Sequence, residues 1–161
     1  MNIDIQQIDM NHALYQQERE LRNSVLLRPI GIPDYGWEHN DSHCRHFVAL
    51  AQGELIGCVL LRPHQQGVLK VAQLSQMAVH PDRRGLGGGR LLIAKLTELA
   101  TELNLSFIYC HARSDVVEFY LKNGFLSYDS PFTEVGILHQ RMKLHIAPPP
   151  KKQAWPKSNS Q

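Results

Sequence analysis

From Met77 to Leu92 the chain reads Met-Ala-Val-His-Pro-Asp-Arg-Arg-Gly-Leu-Gly-Gly-Gly-Arg-Leu-Leu. An apolar run ends at Val79, and leucines at helical spacing begin near Leu92, so the stretch predicts a strand, a glycine-rich turn and a helix. The first amides of a helix have no partner within it, and glycine lets the backbone approach a bound group closely. With three arginines beside them, these features predict an anion-binding site at the start of a helix.

Two common phosphate-binding loops do not fit this stretch. The last glycine is not followed by the Lys-Ser/Thr pair with which a nucleotide-hydrolysing loop holds its phosphates and Mg²⁺. A dinucleotide-binding loop would be followed by an acid at the end of the next strand, whereas Glu102 ends a predicted helix. A turn that only makes room for packing is the other alternative, but such a turn needs one or two glycines rather than four.

Outward from the loop, hydrophobic periodicity predicts alternating strands and helices. Before the loop we expect a strand, a helix and three strands joined by hairpins: Met1–Ile8, Asn11–Leu26, His46–Ala51, Glu54–Arg62 and Val68–Val79. After it we expect two helices and three strands: Leu86–Leu103, Leu105–Cys110, Asp115–Asn123, Phe125–Tyr128 and Gly136–His145. Hairpins pair antiparallel, whereas strands flanking a helix run parallel. The fold class is therefore α/β, with a mixed, mostly antiparallel sheet, a central parallel pair and helices on both faces.

Length and composition favour one domain in a reducing compartment. The 161 residues suffice for one domain, which we place at residues 1–146, and the proline-rich segment 147–161 is expected to be an extended tail. A net charge of +2 gives no reason to expect nucleic acid as a partner. We expect no membrane association and a cytoplasmic location, because the chain shows no apolar segment of membrane-spanning length and no signal peptide. His43, Cys44 and His46 lack distant partners that would complete a metal site, so no metal is expected.

Two signatures resemble the GNAT family of N-acetyltransferases. Arg84-x-x-Gly87-x-Gly89 is similar to that family's motif for the acyl-CoA pyrophosphate, and Phe119-Tyr-Leu-Lys-Asn-Gly-Phe125 is similar to its second signature. The resemblance covers about Ile3 to Ile146. It implies acetyl-CoA as cosubstrate, bound by the loop and by the end of the preceding strand. The implied residues are Met77, Ala78, Val79, Arg84, Gly85, Leu86, Gly87, Gly88, Gly89 and Arg90.

Three further stretches resemble the subgroup that contains the glyphosate N-acetyltransferases: Leu26–Pro29, Cys110–Arg113 and Gly136–Met142. This resemblance implies that Arg28 and Arg113 hold an anionic group of the substrate. It also implies that His139 is the base, with His111 as an alternative. Ser75 departs from the subgroup, which carries another anion-binding arginine there.

Tyr120 is the candidate acid for the leaving thiolate, since an ordinary tyrosine keeps its proton at neutral pH. Adjacent residues on a helix diverge by about 100°, so we expect only one of Phe119 and Tyr120 to point into the core. A histidine at position 139 can accept a proton near neutral pH. The predicted function is acetyl transfer to the primary amine of a small, anionic molecule by a monomer or homodimer. A protein or polyamine acetyltransferase of the same fold, or a CoA-binding sensor without turnover, are the alternatives.

Overall fold

The computed structural model describes residues 2–34 and 38–148. The strands are β1 (Ile3–Ile8), β2 (Arg45–Ala51), β3 (Glu54–Gln66), β4 (Leu69–Val79), β5 (Phe107–Arg113), β6 (Leu126–Glu134) and β7 (Ile137–His145). The α-helices are α1 (Tyr15–Arg22), α2 (Gly88–Glu102) and α3 (Val117–Lys122). The predicted tail falls almost wholly outside the described residues. None of the described helices is long and apolar enough to cross a membrane.

All seven strands form one sheet in the order β1-β2-β3-β4-β5-β7-β6. Hairpin neighbours pair antiparallel, and the single parallel pair in this sheet joins β4 to β5 on either side of α2. This topology confirms the predicted mixed sheet. Its cause is local: tight turns force their strands to run antiparallel, while a helical crossover returns the chain in the same direction.

Helices cover both faces of the sheet, as predicted. Helix α2 buries Leu92, Ile93 and Leu96 in the larger core cluster, together with one face of β2 to β5. Helix α1 buries Tyr15 and Leu21 in a second cluster on the opposite face. We call the face that carries α1 the acceptor face. On this face, Tyr109, His111 and Arg113 of β5 remain partly exposed.

The first helix is shorter than its sequence pattern predicts. Regular α-helix spans Tyr15–Arg22, and the chain then continues as a π-helical turn over Asn23–Leu27 and a 3₁₀ turn over Arg28–Ile30. Pro29 explains the change, since the residue before a proline avoids the α conformation. The segment before β2 contains a second 3₁₀ turn, Glu38–His43.

Two strands run further than predicted because their prolines lie where no ladder bond is lost. We expected β3 to end at Arg62, but it continues through Pro63 to Gln66. The pairing of β2 with β3 stops at Leu61, so Pro63 lies beyond it on an open edge. Strand β6 likewise passes Pro131 at the edge of the sheet, at an irregularity between Tyr128 and Phe132.

A β-bulge at Gln76 reverses the side-chain alternation near the end of β4. Cys58 pairs with Ala78 and Leu60 with Ser75, so two residues of β4 oppose one of β3, and Gln76 has φ of 54°. Before the bulge the even-numbered Leu74 faces α2, whereas after it Met77 packs against the same core. Sequence alternation, which assumes no bulge, places residue 77 on the wrong face.

Candidate functional site

Strands β4 and β5 diverge after three paired residues. Val71–Gln73 pair with Phe107–Tyr109, and no pairing between the two strands continues beyond them in the described chain. The remainder of β4, through Met77, Ala78 and Val79, therefore presents unpaired backbone groups on its β5 side. This opening lies directly before the glycine loop, so an extended ligand could enter the sheet there by bonding to a strand edge.

The glycine loop ends at the first turn of α2. Gly87 is the N-cap, with φ of 91°, and no side chain caps the helix. The first intrahelical bond runs from the Leu91 N–H to the Gly87 carbonyl, so within the described chain the amides of Gly88, Gly89 and Arg90 have no backbone acceptor. Three free amides at the positive end of a 15-residue helix form the arrangement to which anions bind in proteins.

The four glycines do not share one purpose. Gly85 and Gly87 adopt φ of 83° and 91°, which only glycine adopts without strain. A Cβ on Gly89 would come within 2.8 Å of Phe119 Cζ, whereas one on Gly88 would meet Ile56 Cδ1 at an ordinary 3.6 Å. Gly89 is thus required for packing α2 against α3. The sequence pattern had explained this glycine by phosphate binding alone.

The loop arginines differ in their partners. Arg83 forms a salt bridge with Glu54 at 2.8 Å, so its charge is already matched. Arg84 is exposed and makes only a long contact, 3.4 Å from its Nε to the Val79 carbonyl oxygen. Arg90 is also exposed, and its Nη2 lies 3.3 Å from where a Cβ on Gly87 would be. Arg84 and Arg90 are therefore the loop cations that carry no carboxylate partner among the described residues.

Tyr120 lies in the core between α3 and the sheet. Its ring makes edge contacts with Phe119 and Phe125 at 5.1 and 5.2 Å. Burial raises the pKa of Tyr120 well above its usual range, and no described residue hydrogen-bonds to its hydroxyl. The expectation that only one of Phe119 and Tyr120 contacts the core is wrong. Phe119 packs on Gly89 while Tyr120 faces β5, because the short α3 is enclosed on two sides.

His139 and Arg113 are cross-strand neighbours on the acceptor face. They are paired in the β5–β7 register, and Phe132 on β6 pairs with His139 from the other side. The His139 Nδ1 lies 2.7 Å from the Ile137 carbonyl oxygen. Since a carbonyl only accepts, Nδ1 carries the proton and Nε2 of the neutral ring is left as the acceptor. That tautomer suits a general base.

The remaining predicted substrate residues have internal partners. Arg28 directs four of its five N–H groups at the carboxylates of Glu20 and Asp34. An anion held at Arg28 would therefore have to displace two carboxylates. Arg113 donates from Nη2 to the Leu26 carbonyl at 2.7 Å, and His111 Nδ1 lies 3.2 Å from Glu134. The structure thus brings Arg113, His111 and His139 together and leaves Arg28 apart with its own counterions.

Ser75 lines a cleft of about 430 Å³ on the acceptor face. The cleft lies between the 38–44 turn and strands β3 and β4, and sequence reasoning did not foresee it. Its walls are Arg22, Asn40, Asp41, His43, Cys44, Leu60, Arg62, Pro63, Gln73, Ser75 and Gln76. Gln76 is the bulge residue, so one end of the cleft adjoins the segment at which β4 leaves β5.

A buried ionic cluster lies beside this cleft. Arg22 makes a bidentate pair with Asp41 at 2.8 and 2.9 Å and contacts Glu18 at 3.2 Å. His46 places Nδ1 2.9 Å from Glu18 and Nε2 2.9 Å from the Asp41 carbonyl oxygen. Glu18, Asp41 and His46 are close enough to share a metal ion, but the guanidinium of Arg22 already occupies both carboxylates. The i, i+4 spacing of Glu18 and Arg22 was the available sequence signal.

The Acetyltransferase (GNAT) family model matches residues 9–125. The chain belongs to this family. The uncharacterized N-acetyltransferase ycf52 of Pyropia yezoensis is 38% identical over 55 residues, which are 34% of this chain. The match spans 32% of that relative's length. The narrower resemblance to glyphosate N-acetyltransferases is not decided by these relatives.

Solved structures of GNAT-like proteins share the fold over most of the chain. An acyl-CoA N-acyltransferase from Pseudomonas aeruginosa has a TM-score of 0.72 at 21% identity, covering 89% of this chain and 99% of its own. ElaA from Escherichia coli has a TM-score of 0.73 at 20% identity, covering 89% of this chain and 100% of its own. A GNAT family acetyltransferase from Elizabethkingia anophelis, with acetyl-CoA bound, has a TM-score of 0.65 at 18% identity, covering 89% of this chain and 98% of its own. These likenesses concern the fold.

Proposed function

We propose that this GNAT family member transfers an acetyl group from acetyl-CoA to the primary amine of a small molecule. The observation that carries the proposal is the opening between β4 and β5, which leads directly to three free amides at the start of α2. An elongated thioester with a pyrophosphate matches both features: backbone groups suit its amide-containing arm, and the helix N-terminus suits its phosphates. Family membership and a related structure with acetyl-CoA bound support the same cosubstrate.

The proposed chemistry is direct attack of the amine on the thioester carbonyl. His139 Nε2 accepts a proton from the incoming ammonium, which frees the nitrogen lone pair. An amide at the end of β4, within Met77–Val79, stabilises the negative charge that develops on the carbonyl oxygen. The C–S bond then breaks, Tyr120 donates a proton to the sulfur, and the attacking nitrogen releases its second proton to solvent, from which Tyr120 is reprotonated. Arg113, beside His139, is proposed to orient the acceptor.

Acetyl-CoA binding is tested by thermal denaturation. A ligand that binds only the folded chain at 100 times its Kd adds about 2.7 kcal/mol of stability. Arg84→Ala and Gly87→Glu should abolish most of that shift, by removing a charge and by blocking the backbone. Lys95→Gln, which removes a charge from the side of α2 near Glu98, is the control and should keep the shift. An equal shift in all variants would place the pyrophosphate elsewhere.

Turnover is tested by thiol release from acetyl-CoA with amino acids, aminophosphonates, polyamines, neutral amines and peptides as acceptors. Acetylation of at least one small amine is expected. A thermal shift without turnover on any acceptor would favour a CoA-binding sensor. Turnover confined to peptides or polyamines would keep acetyl transfer and replace the acceptor class.

A further inference from the structure

Two arginines line the cleft: Arg22 is paired with carboxylates, and Arg62, within the described chain, is not. It is half-buried at the cleft wall, and its Nη2 donates to Gln73 Oε1 at 2.9 Å. Among the residues that the structure describes, no carboxylate lies within salt-bridge distance of Arg62, whereas Arg19, Arg22, Arg28 and Arg83 each have one. A partly desolvated guanidinium with unmatched charge is costly unless something supplies an anion.

The other groups around the cleft are mostly hydrogen-bond donors. The Asn40 amide and the Ser75 hydroxyl can both donate toward its interior. The lining carboxylate, Asp41, is already taken, because Arg22 holds both of its oxygens and the Tyr15 hydroxyl donates to it at 2.6 Å. The cleft therefore offers one unmatched cation and several donors, which is a chemistry suited to a carboxylate or a phosphonate.

The cleft is also placed to serve the acyl-transfer site. Arg62 pairs with Gln73 in the β3–β4 register, and the opening between β4 and β5 begins beyond Gln73. Met77 lies four positions beyond Gln73 along β4, a distance of at most roughly 13 Å at 3.3 Å per residue, since the bulge at Gln76 shortens the strand. A group bound at Arg62 thus lies along the same strand as the proposed thioester site, but not on top of it.

We propose that Arg62 binds the anionic group of the acceptor, and that it rather than Arg28 selects anionic amines. This inference rests on the proposed acetyl-transfer function. Gln73 and the Tyr109 hydroxyl hold the guanidinium from the side of β4 and β5, and both partners are uncharged. The separation along β4 favours acceptors whose amine and acid are several bonds apart over α-amino acids.

Cys44 offers a test that does not need the acceptor. It lines the cleft and is half-buried, whereas Cys58 and Cys110 are buried in the two cores. Iodoacetate and iodoacetamide are close in size and differ in charge. The rate of each at Cys44 is measured at pH 8 and low salt by mass spectrometry of the Cys44 peptide. Their ratio cancels any change in the thiolate fraction, since both reagents need the same thiolate.

In Arg62→Gln the ratio of iodoacetate to iodoacetamide rates should fall at least about fivefold, the effect of roughly one charge near the thiol. In Arg62→Lys the ratio should lie between those of the wild type and Arg62→Gln. Lys95→Gln on α2 should leave the ratio unchanged. An unchanged ratio in Arg62→Gln, with a wild-type urea midpoint, overturns the anion site.

The acceptor role has its own readout. For anionic amines acetylated in the turnover panel, Arg62→Gln should raise KM at least about tenfold while KM for neutral amines and the acetyl-CoA thermal shift stay at wild-type values. If only neutral or cationic amines are acetylated, Arg62 is not the acceptor anchor. If acetyl-CoA gives neither a thermal shift nor turnover, it is the acetyl-transfer function that fails, and the alkylation ratio still reports on the anion site.

Discussion

Tyr120 combines a deeply buried position with a hydroxyl that no described residue hydrogen-bonds. The hydroxyl oxygen is not among the fully buried polar atoms that lack a partner, so solvent or a ligand can reach it. Burial raises the pKa of Tyr120, so the phenol stays protonated through neutral pH and can act there as a proton donor but not as a base.

Tyr120→Phe is therefore expected to separate stability from activity. The urea midpoint should stay close to the wild-type value, because no hydrogen bond between the hydroxyl and a described residue is lost, while kcat should fall by roughly 10²–10⁴, as for loss of a positioned acid. Thermal denaturation with acetyl-CoA should show an unchanged shift. Tyr128→Phe on the edge strand β6 is the control and should leave kcat as it is. Turnover near the wild-type rate in Tyr120→Phe would show that the thiolate leaves without this proton.

The glycine turn before α2 could be predicted from the sequence, because the strand end, the glycines and the leucine spacing lie in one short stretch, whereas the roles of Tyr120 and His139 stay predictions. The sequence did not predict the partners of Arg28, since Glu20 and Asp34 meet it only after the chain turns at Pro29. Arg62 gave no signal either. The absence of a carboxylate partner in the described chain depends on how the 38–44 turn packs over β3 and β4. The spacing of residues along the sequence does not predict that packing.

At the scale of elements, the order of strands and helices could be predicted, but several boundaries could not. The helical spacing of apolar residues that begins near Asn11 continues into the π-helical turn. Periodicity alone therefore does not show that α1 ends at Arg22. The alternation of apolar and polar residues likewise does not predict the bulge at Gln76, although the bulge decides which side chains face the cleft.

The junction of α2 and α3 yields a paired prediction on neighbouring glycines. Alanine at position 89 would place its Cβ 2.8–2.9 Å from the Phe119 ring, too close without movement of α3. Gly89→Ala should therefore destabilise the chain by about 1–3 kcal/mol, the usual cost of overpacking. Gly88→Ala is the matched control, with an ordinary contact to Ile56, and should be neutral or slightly stabilising, since alanine is the better helix former.

Urea unfolding without coenzyme measures both variants, so binding does not enter the comparison. Phe119→Leu added to Gly89→Ala should recover part of the lost stability by giving the new methyl group room. Equal stability of the two single variants would mean that α3 adjusts freely and that Gly89 is kept for the loop alone.

For the molecule as a whole, the ionic cluster beneath the cleft holds three distant segments together. Glu18 and Arg22 come from α1, Asp41 from the 3₁₀ turn, and His46 from β2. Their charges balance only if His46 is an imidazolium. Both of its nitrogens face acceptors, a carboxylate and a backbone carbonyl, so both must carry protons. The position of α1 over the acceptor face, and with it the cleft wall, thus depends on one titratable ring.

This dependence predicts that stability declines as the pH rises above neutrality. Burial opposes the charge on His46, but the hydrogen bond and charge of Glu18 outweigh it, and the pKa of His46 is raised. Below the unfolded-state pKa of about 6.5, both states hold the proton and the contribution is complete. As the pH rises toward the folded-state pKa, the unfolded chain loses the proton first, so the free energy of unfolding falls by up to about 1.4 kcal/mol per pH unit.

Urea midpoints at pH 6, 7 and 8 measure this slope. His46→Gln, which stays neutral, should be less stable at pH 6 and should lose most of the decline between pH 6 and 8, whereas His145→Gln, at an exposed strand end, should keep the wild-type slope. The pKa of Asp41 is lowered with the bidentate bond from Arg22, so its own contribution is present above about pH 4 and is lost only in acid, outside this window. An identical slope in wild type and His46→Gln would mean that His46 is neutral in the folded chain and that the cluster carries a net negative charge.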